Sequence, residues 1–217
     1  MKNIRRTSMA ATALLGLCLI NTTQAQIFVV NTGSGNIGEY TTAGATVNAS
    51  LVSGLNNPSG LAVSGGDIFV ANPIGGTVGE YTTAGATVNA SLVTGLSYPL
   101  GVAVSGGDIF VANGYGNTIG EYTTAGATVN ASLATGLDEP AGLAVSGGDI
   151  FVANTYPGEI SEYTTGGATV NTSLITGLDY PWGVAVETVP EPSTYALLAG
   201  GLGGWLLWRL RTRRTLV

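Results

Sequence analysis

The chain has 217 residues, room for one domain with terminal extensions, and its 45% hydrophobic content excludes a disordered chain. All seven basic residues lie at the ends (Lys2, Arg5, Arg6, Arg209, Arg211, Arg213 and Arg214), and the thirteen acidic ones, Glu39 to Glu191, share the interval between them with no countercharge. A body without Lys or Arg has nothing with which to displace counterions from phosphates, so nucleic acid is excluded as a partner.

Residues 1–25 join a basic start to an apolar run, Met9 to Ile20, and a polar stretch ending Thr23-Gln24-Ala25. That order predicts a secretory signal peptide cut before Gln26 by signal peptidase. Lipoprotein processing at Cys18 is the alternative, and the bulky Leu17 before it speaks against that. Cys18 is the only cysteine, so the mature body would hold no disulfide.

The repeat body, 27–188, is written in units of 41 residues starting at Ile27, Ile68, Ile109 and Ile150, namely 27–67, 68–108, 109–149 and 150–190. The stretch EYTTAGATVNASL stands at 39–51, 80–92 and 121–133 unchanged, and returns at 162–174 with Gly166 and Thr172 as its two substitutions. Repeats of this length point to solenoids or propellers. Each unit reads as strand and turn: IFVAN (68–72) after the tight-turn residues Ser64-Gly65-Gly66-Asp67, then TVGEYTT (77–83), a turn at Ala84-Gly85, a strand from Val88 to Val93, and GVAV (101–104) after the bend at Pro99. No segment keeps a helical apolar period, and Gly and Thr at this density penalise a helix. The IFVA run is apolar on both sides of its pleat, so both faces of its sheet must be covered.

The Pro-x-Gly-Leu/Val-Ala-Val and Gly-Asp-Ile-Phe-Val-Ala-Asn pattern resembles NHL-type β-propeller repeats. The resemblance implies an all-β fold: a propeller of four four-stranded blades that bury their sheet faces against one another. The first unit lacks a GLAV strand and the last repeat element is a spare GVAV at 183–186, so the C-terminal strand is expected to complete the first blade and close the ring. Relatives of this repeat usually form rings of six or seven blades, which leaves a second arrangement open, an arc that pairs with another chain into a larger ring.

At the C terminus, Val189-Pro190-Glu191-Pro192-Ser193 precedes an apolar run from Tyr195 to Trp208 and then RLRTRR. Fourteen residues make a helix of about 21 Å, short of a hydrocarbon core of about 30 Å. The arginines behind it would stay cytoplasmic. Over 189–214 this order resembles the PEP-CTERM sorting signal, in which Pro190, Glu191 and Pro192 would be the element recognised by an exosortase. A transient anchor in the inner membrane through a hydrophobic helix at 195–208, then release to the cell surface or matrix, is what the resemblance implies. A plain C-terminal anchor is the alternative.

The body offers little for catalysis. Without His, Lys, Arg or Cys it lacks the usual general base, Schiff-base amine, cationic clamp and thiol nucleophile. Glu39, Glu80, Glu121 and Glu162, and Asp67, Asp108 and Asp149, recur at equivalent places, which suits structure better than an active site. No Asp-x-Asp-x-Asp run suggests calcium, so no metal site and no cofactor is expected. The Asn-x-Ser/Thr triplets at Asn48, Asn89, Asn130 and Asn171 read as turn and strand residues, and the tyrosines beside the glutamates as packing between blades.

The least repeated residues form two loop sets: 32–36, 73–77, 114–118 and 155–159 in one, and Asn56-Asn57, Ser97-Tyr98, Asp138-Glu139 and Asp179-Tyr180 in the other. Binding in propellers falls on such loops. The second set nominates Tyr98, Asp138, Glu139, Asp179, Tyr180 and Trp182 as the candidate ligand face. The resulting expectation is an exported, surface-sorted, non-catalytic propeller that serves the envelope or matrix as a structural or ligand-binding part, with exopolysaccharide as a possible partner. The alternative is a secreted propeller enzyme of lyase or lactonase type that uses metal and loop carboxylates.

Overall fold

The computed structural model describes residues 25–187, and all of its regular structure is β. The signal peptide, the Pro190-Glu191-Pro192 motif and the apolar segment 195–208 lie outside the described residues. The first sheet holds β1 (Gln26–Asn31), β2 (Asn36–Thr41) and β3 (Thr46–Ser53). The second holds β4 (Leu61–Ser64), β5 (Asp67–Asn72), β6 (Thr77–Thr82) and β7 (Thr87–Val93). The third holds β8 (Pro99–Ser105), β9 (Asp108–Asn113), β10 (Thr118–Thr123) and β11 (Thr128–Thr135). The fourth holds β12 (Pro140–Ser146), β13 (Asp149–Asn154), β14 (Glu159–Thr164) and β15 (Thr169–Ile175). Within each sheet consecutive strands are antiparallel neighbours in sequence order.

The double-sided strands behave as their composition requires. In β5, Ile68 and Val70 pack towards the first sheet, with Ile37, Val52 and the half-buried Phe28. Phe69 and Ala71 point the other way, into a cluster with Ile109, Val111 and Tyr122 of the third sheet. The same contact recurs where Phe110 and Ile119 meet Ile150, Val152 and Tyr163. Tyr81, Tyr122 and Tyr163 of the repeated EYTT therefore pack between sheets, as expected, whereas Tyr40 of the first sheet is half-buried.

The long identical stretch is explained by the same contact. Gly85, at the tip of the β6–β7 hairpin with φ +86°, has no room for a side chain, because a Cβ there would lie 2.5 Å from the Leu51 carbonyl oxygen of the first sheet. Gly126 meets Leu92 in the same way. Each hairpin after the first must fit the preceding sheet, so these copies keep the same residues. Asn89 and its equivalents are local turn formers: the Asn89 side-chain oxygen accepts from the Ser91 amide at 3.1 Å.

The closure expected from the sequence is not found. The first sheet has three strands and β1 pairs only with β2. Residues 183–186, the spare GVAV, adopt no strand. The segment nonetheless follows the course of an inner strand, since a Cβ on Gly142 of β12 would lie 2.5 Å from the Trp182 carbonyl oxygen and 2.8 Å from the Gly183 Cα. It reaches the place of the inner strand of a fifth blade but finds no outer strands there among the described residues, and the four sheets form an open series.

Candidate functional site

Both variable loop sets fall at one end of the molecule and touch. The Leu96 amide donates to the Gly76 carbonyl at 3.0 Å, Gly114 to Tyr98 at 3.0 Å, and Thr155 to Glu139 at 3.2 Å. The Thr32 hydroxyl donates to the Pro58 carbonyl at 2.8 Å, and the Glu139 amide to the Asn117 side-chain oxygen at 3.1 Å. The opposite end carries the invariant Gly-Gly turns; there the Thr83 amide donates to the Gly66 carbonyl.

Backbone geometry distinguishes four positions on this end. Asn57, Tyr98, Glu139 and Tyr180 occupy the same place in successive repeats, and each is left-handed, with φ of 55°, 56°, 46° and 48°. Each precedes a proline: Pro58, Pro99, Pro140 and Pro181. The conformation costs an L-residue on the order of 1 kcal/mol, which glycine avoids. A fifth residue, Asn117 in the facing loop, is also left-handed with φ 55°, and glycine takes the conformation at seventeen other described positions.

The nominated residues separate into two groups. Tyr98 and Trp182 line a cleft of about 360 Å³ with Thr32, Asn57, Pro73 and Leu100, and Trp182 is 59% exposed. Asp138, Glu139 and Tyr180 gather around Tyr156. The Tyr180 and Tyr156 rings meet edge to face at 5.0 Å. The Tyr156 phenol is pushed above its ordinary value, first by its interaction with Tyr180 and further by the Glu139 and Asp138 carboxylates. Asp179 lies in the same loop. Sequence reasoning had not selected Tyr115, Tyr156 or Asn57, although all three stand in the variable loops. Tyr115 stacks face to face on Tyr98, with centroids 4.1 Å apart. The usable signal was that aromatic residues appear in both loop sets of a chain with only nine tyrosines.

No three carboxylates come together as a metal-holding group among the described residues. The loop end offers aromatic rings at a shallow cleft and, apart from the cleft, phenols beside carboxylates, a set suited to polar ligands with flat apolar faces.

Residues 188–214 match the PEP-CTERM protein-sorting motif. The motif implies export, a membrane-anchored C-terminal sorting signal and handling by exosortase-type sorting machinery. Among curated proteins none matches the chain. Solved β-propellers do match it in fold. A streptogramin B lyase is 21% identical over 75% of this chain and 55% of its own, with a TM-score of 0.62. A catalytically inactive virginiamycin B lyase from Staphylococcus aureus with quinupristin is 19% identical over 74% and 56%, TM-score 0.58. A chain of the nidogen/laminin complex is 18% identical over 76% and 65%, TM-score 0.65. The chain thus spans about half the length of the lyases it resembles, and its four sheets are propeller blades in an open arc.

Proposed function

We propose that this exported protein is a non-catalytic binding component of the cell surface or extracellular matrix, and that the aromatic and acidic loop end holds carbohydrate, such as matrix exopolysaccharide. The observation that carries this is the row of left-handed residues at Asn57, Tyr98, Glu139 and Tyr180. Strain retained at equivalent points, where glycine would relieve it, argues that the side chains are wanted there. Two of the four are tyrosines; together with Trp182 they supply rings of the kind that stack on sugar faces.

The solved neighbours include lyases and a binding complex, and the residues favour the second. The virginiamycin B lyase neighbour is inactive as a histidine-to-alanine variant, and this chain contains no histidine, lysine or arginine between its ends. A lyase or lactonase chemistry would have to run on carboxylates and phenols alone.

Binding to a panel of bacterial polysaccharides tests the reading. The wild-type protein should retain at least one acidic or neutral glycan, and the Tyr98→Ala, Trp182→Ala variant should lose it tenfold or more, with an unchanged circular dichroism spectrum and a stability loss of about 1 kcal/mol or less. Equal binding by both proteins would remove the loop end from consideration.

A further inference from the structure

The chain repeats itself so closely that its interior blades serve as controls for its two ends. At every interior junction the trailing face of one blade covers the leading face of the next. On leading faces, Ile68 and Val70 are 0% exposed, as are Ile109 and Val111. Their counterparts in the first blade, Ile27 and Val29, are 44% and 38% exposed. On trailing faces, Leu133 and Ala134 are 8% and 4% exposed, whereas Leu174 and Ile175 of the fourth blade are 40% and 49% exposed. Ile27, Val29 and Leu174 are the same residue types as their buried counterparts, and Ile175 stands where Ala134 is buried, so the difference is a missing neighbour.

Two glycines record the same vacancy. Gly85, Gly126 and Gly167 each lie against a leucine of the preceding blade, namely Leu51, Leu92 and Leu133. Gly44, the fourth in the series, faces open space, and the fourth leucine is the exposed Leu174. On the inner strands Gly60 lies against Leu100 and Gly101 of the next blade, and Gly142 against Trp182 and Gly183, whereas Gly183 itself meets nothing.

We propose that both vacancies are filled by a second copy of this chain, the fourth blade of each copy seating on the first blade of the other, to make a closed two-copy ring of eight blades. Each uncovered face has the composition of the face it would replace. Neither face has a cover among the described residues. The ring also supplies the missing strand: residues 181–187 of one copy run along the free edge of the partner's β1. The interior register, with Val102 opposite Val111 and Val104 opposite Ile109, places Val184 opposite Val29 and Val186 opposite Ile27. Gly183 would then lie on Ser59 and Gly60, completing the inner-strand series. The arc matches only 55% to 65% of the length of solved propellers, so it takes the place of part of a larger ring. Two arcs give eight, within the range of propellers. The junction is head to tail, and because two identical contacts close the ring, no face is left to propagate a filament.

The test uses the full-length chain with Cys18→Ser, solubilised in mild detergent. Sedimentation should give two copies, twice the single-chain mass. An equimolar mixture of Ile27→Cys and Val186→Cys chains, differently tagged, should form a disulfide that joins one of each. Gly183→Val fits the open space in the free arc but collides in the ring, so it should sediment as one copy with an unchanged circular dichroism spectrum. A single copy for the unsubstituted chain overturns the proposal, whether its faces are covered by its own C-terminal apolar segment or by closure on itself. An indefinite polymer, the absence of the mixed disulfide, or a Gly183→Val protein that still pairs overturns it as well. These readouts are masses and cross-links, so they stand or fall separately from glycan binding.

Discussion

Tyr98 and Tyr115 stack with ring centroids 4.1 Å apart and planes within 7°, although they belong to different loops. Tyr98 precedes the inner strand β8, and Tyr115 sits between β9 and β10. The pair therefore clamps two variable loops of the third blade, and Tyr115 is 66% exposed beside it. Removal of the outer ring by Tyr115→Ala should free Tyr98 and weaken any glycan bound at the cleft three- to tenfold, with a loss of stability of about 1 kcal/mol or less. Titration of the bound glycan against both proteins measures the first, and thermal melts the second.

Burial on both faces of the IFVA strands makes them the most sensitive part of the body. Ile109 is completely buried between the second and third blades. Ile109→Ala should cost about 2–5 kcal/mol, seen as a lower urea midpoint with little change in the slope of the transition.

A crowded hairpin-tip glycine and an open glycine in the connection after β3 give a cleaner contrast. Gly85 and Gly54 have similar backbone angles, φ +86° and +78°, but only Gly85 is crowded, by the Leu51 carbonyl and side chain. Gly54→Ala should cost only the left-handed strain, about 1–2 kcal/mol, whereas Gly85→Ala adds displacement of the neighbouring blade. Equal melting temperatures for the two variants would show that the hairpin does not fix the spacing between blades.

Charge predicts an unusual pH response. Glu80 is raised above the ordinary glutamate value, first by burial and then by the Asp67 carboxylate, and Glu121 likewise by burial and Asp108. An acid raised in the folded state is lost from the unfolded chain first, so the unfolded chain holds fewer protons in the window between the two values. Stability is therefore highest below the ordinary glutamate value and falls as pH rises through the raised one. With no cation in the body, no ion pair offsets this trend. Melting temperature should be higher in mildly acidic than in neutral buffer, and Glu80→Gln with Glu121→Gln should flatten the dependence.

Much of the blade was legible in the sequence. The period of 41, the Gly-Gly turns and the double-sided IFVA runs specify strand order, hairpins and the faces that meet, because each is a local or nearest-neighbour matter. The missing inner strand of the first blade was legible too, from the phase at which Ile27 begins. Closure was not. The angle between neighbouring blades depends on how Phe110, Leu133 and Tyr163 fill the space between sheets, and identical repeats read alike in a ring of any size, so the spare GVAV at 183–186 was assigned to a partner it does not reach. The candidate face was half legible: Tyr98 and Trp182 were selected from one loop set. Their association with Tyr115, and that of Tyr180 with Tyr156, arises only when two loops far apart in sequence fold onto one end. The left-handed backbone at Glu139 gives no signal in residue type, whereas asparagine at 57 is a residue that tolerates it.

A repeat body that works outside the cell is released from both of its terminal signals, and the intact mass of protein extracted from the cell surface tests that directly. A chain that begins at Gln26 and has lost the apolar segment and arginines of the PEP-CTERM motif is the predicted result. Recovery of only the full 217-residue chain, held in the inner membrane, would contradict it.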